Sequence, residues 1–128
     1  MGGEIVMPII VYNKNKETHF GENNYPIYRP NVLSNPYTDI KDKQTKALYI
    51  VKNRDEAIKK YSDYFDLKYG RDLQFTNVID EIYEKYKNGE TIYLECYCHP
   101  LPCHGEIIAK KMEQRLLKEK IKKIKLAH

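Results

Sequence analysis

Two apolar, β-branched runs lie near opposite ends of the chain, Ile5 to Tyr12 and Thr91 to Tyr97. Strands so far apart cannot form a tight hairpin, and the segment between them is long enough for the crossover that parallel pairing requires. The two runs therefore predict a sheet that is at least partly parallel. Pro8 either confines the first strand to an edge or moves its start to Ile9.

The segments between and after these runs carry helical patterning. Asn53 with Glu56 three residues on matches a capping box, and Ala57, Ile58, Tyr61, Tyr64 and Phe65 follow at helical spacing. Val78, Ile79, Ile82, Tyr83 and Tyr86 signal a second helix, starting near Asn77 and stopped by Asn88-Gly89. From Gly105 onward a third helix can align Ile108, Met112, Leu116 and Ile124 along one stripe. Asn13 to Asn24 is polar and reads as a loop.

The segment Tyr25 to Tyr37 alternates prolines with aromatics. Proline lacks a backbone donor and restricts the residue before it, so a rigid irregular ribbon is expected, with a short strand at Ile27. The order strand, ribbon, helix, helix, strand, helix predicts a small single-domain α/β protein with a Rossmann-like sheet flanked by helices. At 128 residues and 41% hydrophobic content the chain supports one core, so residues 1–128 read as a single domain with a basic helical end from about residue 113. No internal repeat or low-complexity linker interrupts it.

All three cysteines fall between Cys96 and Cys103, in the run Cys96-Tyr97-Cys98-His99-Pro100-Leu101-Pro102-Cys103-His104-Gly105. An odd, local set is a poor disulfide framework and fits a metal or thiol cluster in a reducing compartment. Cys96 and Cys98 share a face if the strand persists through Cys98, and Cys103 and His104 fold back toward them across the Pro100 to Pro102 turn. Pro102 suits a first helical turn, which leaves the amides of Cys103, His104 and Gly105 at an open, anion-attracting helix terminus.

Three readings of this run stay open. It can form a ligand site at the carboxyl end of a strand, with the Cys103 pKa lowered by the helix terminus and His104 as base or hydrogen-bond donor. Cys96, Cys98, Cys103 and His104 can instead form a Cys3His zinc set, although the Cys-x-Cys pair is tighter than usual. Or the cysteines are small buried hydrophobes and His104 caps the helix or satisfies a carbonyl.

The net charge of +4 is modest, but Lys110, Lys111, Arg115, Lys118, Lys120, Lys122, Lys123 and Lys125 crowd the C-terminal helix, against Glu113 and Glu119. Lysines complement the negative pole of a helix, so a solvated helix end is the simpler reading and nucleic-acid contact the rarer one. No run is long and apolar enough to span a membrane and no secretory signal opens the chain, so a cytoplasmic protein without membrane contact is expected.

The run Tyr93 to Ile108 resembles the Cys-x-Cys…Pro-x-Cys-His-Gly signature of the bacterial and phage family called domain of unknown function 4326. Tyr28-Arg29-Pro30-Asn31-Val32-Leu33-Ser34-Asn35-Pro36-Tyr37 is similar to its Gly-Arg-Pro…Leu-Gly-Asn-Pro-Phe segment, and Asn53-Arg54-Asp55-Glu56-Ala57-Ile58 to its Ser-Arg-Glu-Glu-Ala-Ile helix start. Tyr28 and Ser34 stand where the family tends to have glycine, which removes backbone access for a ligand there. The resemblance implies a phage or mobile-element setting, a fold and a neighbourhood, and no reaction.

Within the matched positions, Arg29 can fork onto a phosphate or carboxylate, Arg54 can add a second cation, and Asn35 can read a base or ribose edge. Tyr28, Tyr37 or Tyr97 can stack on a base. The expectation is a protein that binds, and processes or sequesters, a nucleotide-like or phosphorylated small molecule, with Arg29, Asn35, Arg54 and Gly105 as ligand contacts and Cys103 and His104 as catalytic candidates. The alternative is a zinc-stabilised module that contacts nucleic acid or a host protein through its basic helix.

Overall fold

The computed structural model describes residues 9–38, 49–99 and 101–127. The elements run β1 (Ile9–Asn13), β2 (Asn24–Pro26), β3 (Tyr37–Thr38), β4 (Tyr49–Ile50), α1 (Arg54–Lys68), α2 (Leu73–Lys87), β5 (Ile92–Cys96) and α3 (Gly105–Ala127). β5 lies between β1 and β2 and is parallel to both, with Asn13 opposite Cys96 and Pro26 opposite Glu95. The carboxyl ends of all three strands therefore meet at one edge of the sheet. The part of the first predicted strand before Ile9 lies outside the described residues. β3 and β4 form a separate parallel pair, held by Tyr49 N–H to Pro36 O at 2.9 Å and Val51 N–H to Thr38 O at 2.7 Å.

β5 alternates as a strand with two unlike faces. Ile92, Leu94 and Cys96 are buried and join one core with Phe75, Ile79, Ile82, Ile108 and Met112 from α2 and α3. Each such large side chain, fully buried, contributes about 1.5–3 kcal/mol. Tyr93 and Glu95 point the other way, toward the chain that joins β1 to β2. There His19 stacks on Tyr93 with ring centroids 3.9 Å apart. The Tyr12 hydroxyl sits 2.6 Å from Asn24 Oδ1 and 2.8 Å from Glu95 Oε2, and burial together with the Glu95 carboxylate pushes its pKa up to about 12.

α1 begins where the capping pattern places it: Asn53 Oδ1 accepts the Glu56 N–H at 2.8 Å, while the Glu56 carboxylate reaches back to the Lys52 N–H at 3.0 Å. α2 starts at Leu73, about one turn before Asn77. Asp72 caps it by accepting the Phe75 N–H at 3.0 Å, a signal the apolar spacing alone does not carry. At its far end Gly89 takes φ +83°, its N–H donating to Tyr86 O and that of Glu90 to Lys85 O, each at 3.0 Å. These two bonds form a Schellman stop.

Two expectations for the third helix are corrected. It starts at Gly105, so Pro102 precedes it rather than occupying its first turn. Ile108 and Met112 are buried and Leu116 packs against the core, but Ile124 is 60% exposed. Steps of four residues advance about 40° beyond each full turn, so a stripe that begins on the core face rotates off it by Ile124. The predicted short strand at Ile27 ends at Pro26, although the Ile27 N–H still donates to Glu95 O at 2.9 Å.

Candidate functional site

A cavity of about 160 Å³ opens at the shared carboxyl edge of β1, β5 and β2. Parallel α/β sheets place ligands at this edge because the strands end there in separate loops that converge. Arg29 and Asn35 line it from the ribbon, Arg54 from the first turn of α1, Cys96 and Cys98 from the end of β5, and Cys103 and His104 from the entry to α3. Tyr28, Tyr37 and Tyr97 also face it. The structure thus brings together every site residue expected from the sequence except Gly105, which lies just behind the wall.

The ribbon holds its shape through local bonds. Arg29 Nη1 donates to Asn35 O at 2.7 Å, and the Asn31 N–H and side chain both donate to Tyr28 O. Asn35 is 6% exposed; its Oδ1 accepts the Tyr37 N–H at 3.0 Å and its Nδ2 donates to Ala57 O at 3.0 Å. Both ends of its carboxamide are engaged with backbone, so Asn35 fastens the ribbon to α1.

β5 ends at Cys96 rather than continuing through Cys98, yet both thiols reach Cys103. Cys96 Sγ accepts the His99 N–H at 3.4 Å and Cys103 Sγ the Gly105 N–H at 3.4 Å. The expectation of a lowered Cys103 pKa is corrected. Its S–H is the proton shared with Cys96 and Cys98, and the residue is buried, so Cys103 is pushed up. Cys98 is drawn down, first by that S–H and then by the Arg54 and Arg29 guanidiniums. A single S–H stabilises one neighbouring thiolate best, and the two cations favour Cys98, which is partly exposed, as its place.

His104 is 8% exposed, and burial lowers its pKa to about 4. Its Nε2 lies 2.9 Å from Ile27 O; a carbonyl only accepts, so the neutral ring carries its proton on Nε2 and turns bare Nδ1 toward Cys103 Sγ, 3.7 Å away. A ring this weakly basic makes a poor proton acceptor for a thiol near neutral pH. Its donor role is already spent on the sheet. Gly105 is buried, and a Cβ there would fall 2.9 Å from Ile27 Cδ1 and 3.0 Å from Val11 Cγ2. That glycine lets α3 close onto the sheet, while its amide serves the Cys103 sulfur.

Among the described residues no group of three or more His, Cys, Asp or Glu side chains is arranged to hold a metal ion. Within the Cys96, Cys98, Cys103 and His104 set, the His104 Nε2 is already engaged by Ile27 O.

Electrostatically the cavity is one-sided. Arg54 Nη1 donates to Pro102 O at 3.3 Å, and among the described residues neither Arg29 nor Arg54 makes an ion pair. Among the described residues no Asp or Glu lines the cavity. Tyr28 and Tyr97 lie with centroids 4.8 Å apart, Tyr97 being 48% exposed, whereas Tyr37 already stacks on Tyr49. Lys14, in the predicted loop that follows β1, reaches the Tyr28 hydroxyl at 3.1 Å. Its one sequence signal is its position directly after the first strand.

A roomier groove of about 410 Å³ between the helices differs in kind. Two of its cations, Lys111 and Arg115, are paired with Asp66 and Asp80, each at 2.9 Å, and the carboxylates of Asp66 and Glu119 line it beside Lys118 and Lys122. Acids and bases thus mix in this groove, whereas among the described residues only bases enter the cavity at the strand ends.

A family model described as Domain of unknown function (DUF4326) matches residues 10–114, a span that takes in the ribbon, the start of α1 and the cysteine run. No curated protein and no solved structure matches the chain.

Proposed function

Because the chain belongs to the family described as Domain of unknown function (DUF4326), a description that names no reaction, we propose its function from the cavity itself: it binds a nucleotide-like or phosphorylated small molecule at the carboxyl edge of a Rossmann-like sheet. The observation that carries this reading is the convergence of Arg29 and Arg54 on one cavity whose lining, among the described residues, holds no carboxylate. Two guanidiniums without an acidic partner among the described residues raise the local potential and offer forked donors that match phosphate geometry. The volume of about 160 Å³ suits part of a nucleotide, with the remainder against Tyr28 and Tyr97 at the rim.

The roles within the site shift accordingly. Arg29 and Arg54 hold the anion, Asn35 positions Arg29 through its backbone carbonyl, and Cys103 and His104 form the wall, with Gly105 packed behind them. Binding without turnover, such as sequestration of a nucleotide signal, needs nothing more. A phage or mobile-element protein working in the host cytoplasm fits this reading, and the three free cysteines fit a reducing compartment.

Calorimetric titration with nucleoside 5′-monophosphates, the matching nucleosides and inorganic phosphate tests it. A monophosphate is expected to bind and its nucleoside to bind far more weakly. Arg29→Ala and Arg54→Ala are each expected to weaken binding about 10- to 100-fold while the protein stays folded. Failure of every phosphorylated probe to bind, or equal binding by both variants, would overturn the proposal.

A further inference from the structure

The binding reading leaves the three thiols without a task, although they are the densest cluster of reactive groups in the described chain. All three are free; Cys96 is 1% and Cys103 2% exposed, while Cys98 is partly open to the cavity. Cys103 lines the same cavity of about 160 Å³ as Cys98 and Cys96. Cys96 packs in the core at the end of β5, so moving it disrupts the sheet's packing. Cys98 follows the strand in a loop and turns more freely.

We infer that Cys98 and Cys103 are a site of reversible oxidative modification, closing into a disulfide when the protein meets a hydroperoxide. Cys98 is the thiol that solvent and a small oxidant reach, and Cys103 is the buried thiol beside it that resolves the product. Two thiols on the wall of one small cavity must close to about 2.0 Å to form the bond, a movement that a rotation of the Cys98 side chain begins.

The chemistry balances without a metal or cofactor. The Cys98 thiolate attacks one oxygen of the hydroperoxide, the O–O bond breaks, and the sulfur is oxidised to a sulfenic acid as the departing oxygen takes up a proton. The Cys103 sulfur then attacks the sulfenic sulfur, hydroxide leaves with the Cys103 thiol proton as water, and the S–S bond forms. The Arg54 and Arg29 charges near Cys98 favour the thiolate that begins the sequence. A thiol reductant reverses it. This inference stands whatever the cavity binds.

Treating the folded, full-length protein with hydrogen peroxide in the presence of a chelator tests it by intact mass and peptide mapping. The expected product has lost two hydrogens and links Cys98 to Cys103, and dithiothreitol restores the starting mass. Cys98→Ser should form no disulfide. Cys103→Ser should stop at a Cys98 sulfenic acid that dimedone traps. Should that variant fail to fold, timed alkylation of the reduced wild-type protein should label Cys98 ahead of Cys96 and Cys103. A Cys96–Cys103 link, an inert Cys98, or faster labelling of either buried thiol would overturn the inference.

Discussion

His104, directly before α3, is tied to Ile27, directly after β2, its ring Nε2 donating to the carbonyl oxygen of Ile27 at 2.9 Å. Arg29 lies two residues further along the ribbon, and the last cysteine of the wall, Cys103, directly precedes His104. One buried hydrogen bond therefore sets the distance between two sides of the cavity. The Tyr61 ring lies against the imidazole, with centroids 4.7 Å apart, and its hydroxyl donates to Leu33 O at 2.8 Å within the ribbon.

That arrangement makes the fold sensitive to acid. His104 titrates near 4 in the folded protein and near 6.5 when unfolded, so the unfolded state binds the extra proton first. Its contribution to stability is complete above pH 6.5 and is lost as pH falls toward 4, amounting to about 3 kcal/mol across that window. Urea unfolding at several pH values should show wild-type stability falling over this range more steeply than that of His104→Gln. Parallel pH profiles for the two proteins would contradict the assignment.

Gly105→Ala tests the close contact beneath the cavity. The new methyl would meet Ile27 Cδ1 at 2.9 Å and both Val11 methyls at 3.0 and 3.1 Å. Overpacking of this kind typically costs about 1–3 kcal/mol, read as a lower urea midpoint at constant slope. Adding Ile27→Val removes the nearest obstructing carbon, so the double variant should lose less stability than the two single losses combined. Strict additivity would show that the strain lies elsewhere.

How far the sequence foretells this structure depends on where each signal is written. The parallel sheet follows from the distance between the Ile9 and Ile92 strands, and α1 from the Asn53 cap, because both signals are local or topological. The start of α2 escapes apolar spacing because Asp72 sets it through one side-chain bond. β3 and β4 are missed because two-residue strands carry almost no period, although the apolar run ending Tyr49-Ile50-Val51 hints at one of them. At the site, the residues are legible but their roles are not. Whether Asn35 meets a ligand or Ala57 O, and which cysteine keeps the proton, depends on contacts between segments far apart in the chain.

Asn35→Ala separates a ligand contact from a positioning residue. As a buried amide bonded to Tyr37 N–H and Ala57 O, its removal leaves both backbone groups unsatisfied and should cost about 1–3 kcal/mol in the ligand-free protein. Phosphate-ester binding should weaken through displacement of Arg29, by a similar factor for every nucleobase. A stable variant that lost discrimination among bases would instead make Asn35 a direct reader of the ligand.

The Cys98 thiolate and a bound anion share the same two guanidiniums, so each should weaken the other. As pH rises through the ionisation of the thiol cluster, a negative charge forms beside Arg54 and Arg29, and affinity for an anion in the cavity should fall. Sulfate is the suitable probe, because its own charge stays constant over this range. Its dissociation constant should rise with pH in the wild-type protein and stay nearly level in Cys98→Ser, whose hydroxyl does not ionise. By reciprocity, saturating sulfate should slow alkylation of Cys98 at a fixed pH near neutrality by holding the thiol protonated. A pH-independent sulfate affinity in the wild-type protein, measured with Cys98 shown to ionise, would place the anion away from these arginines.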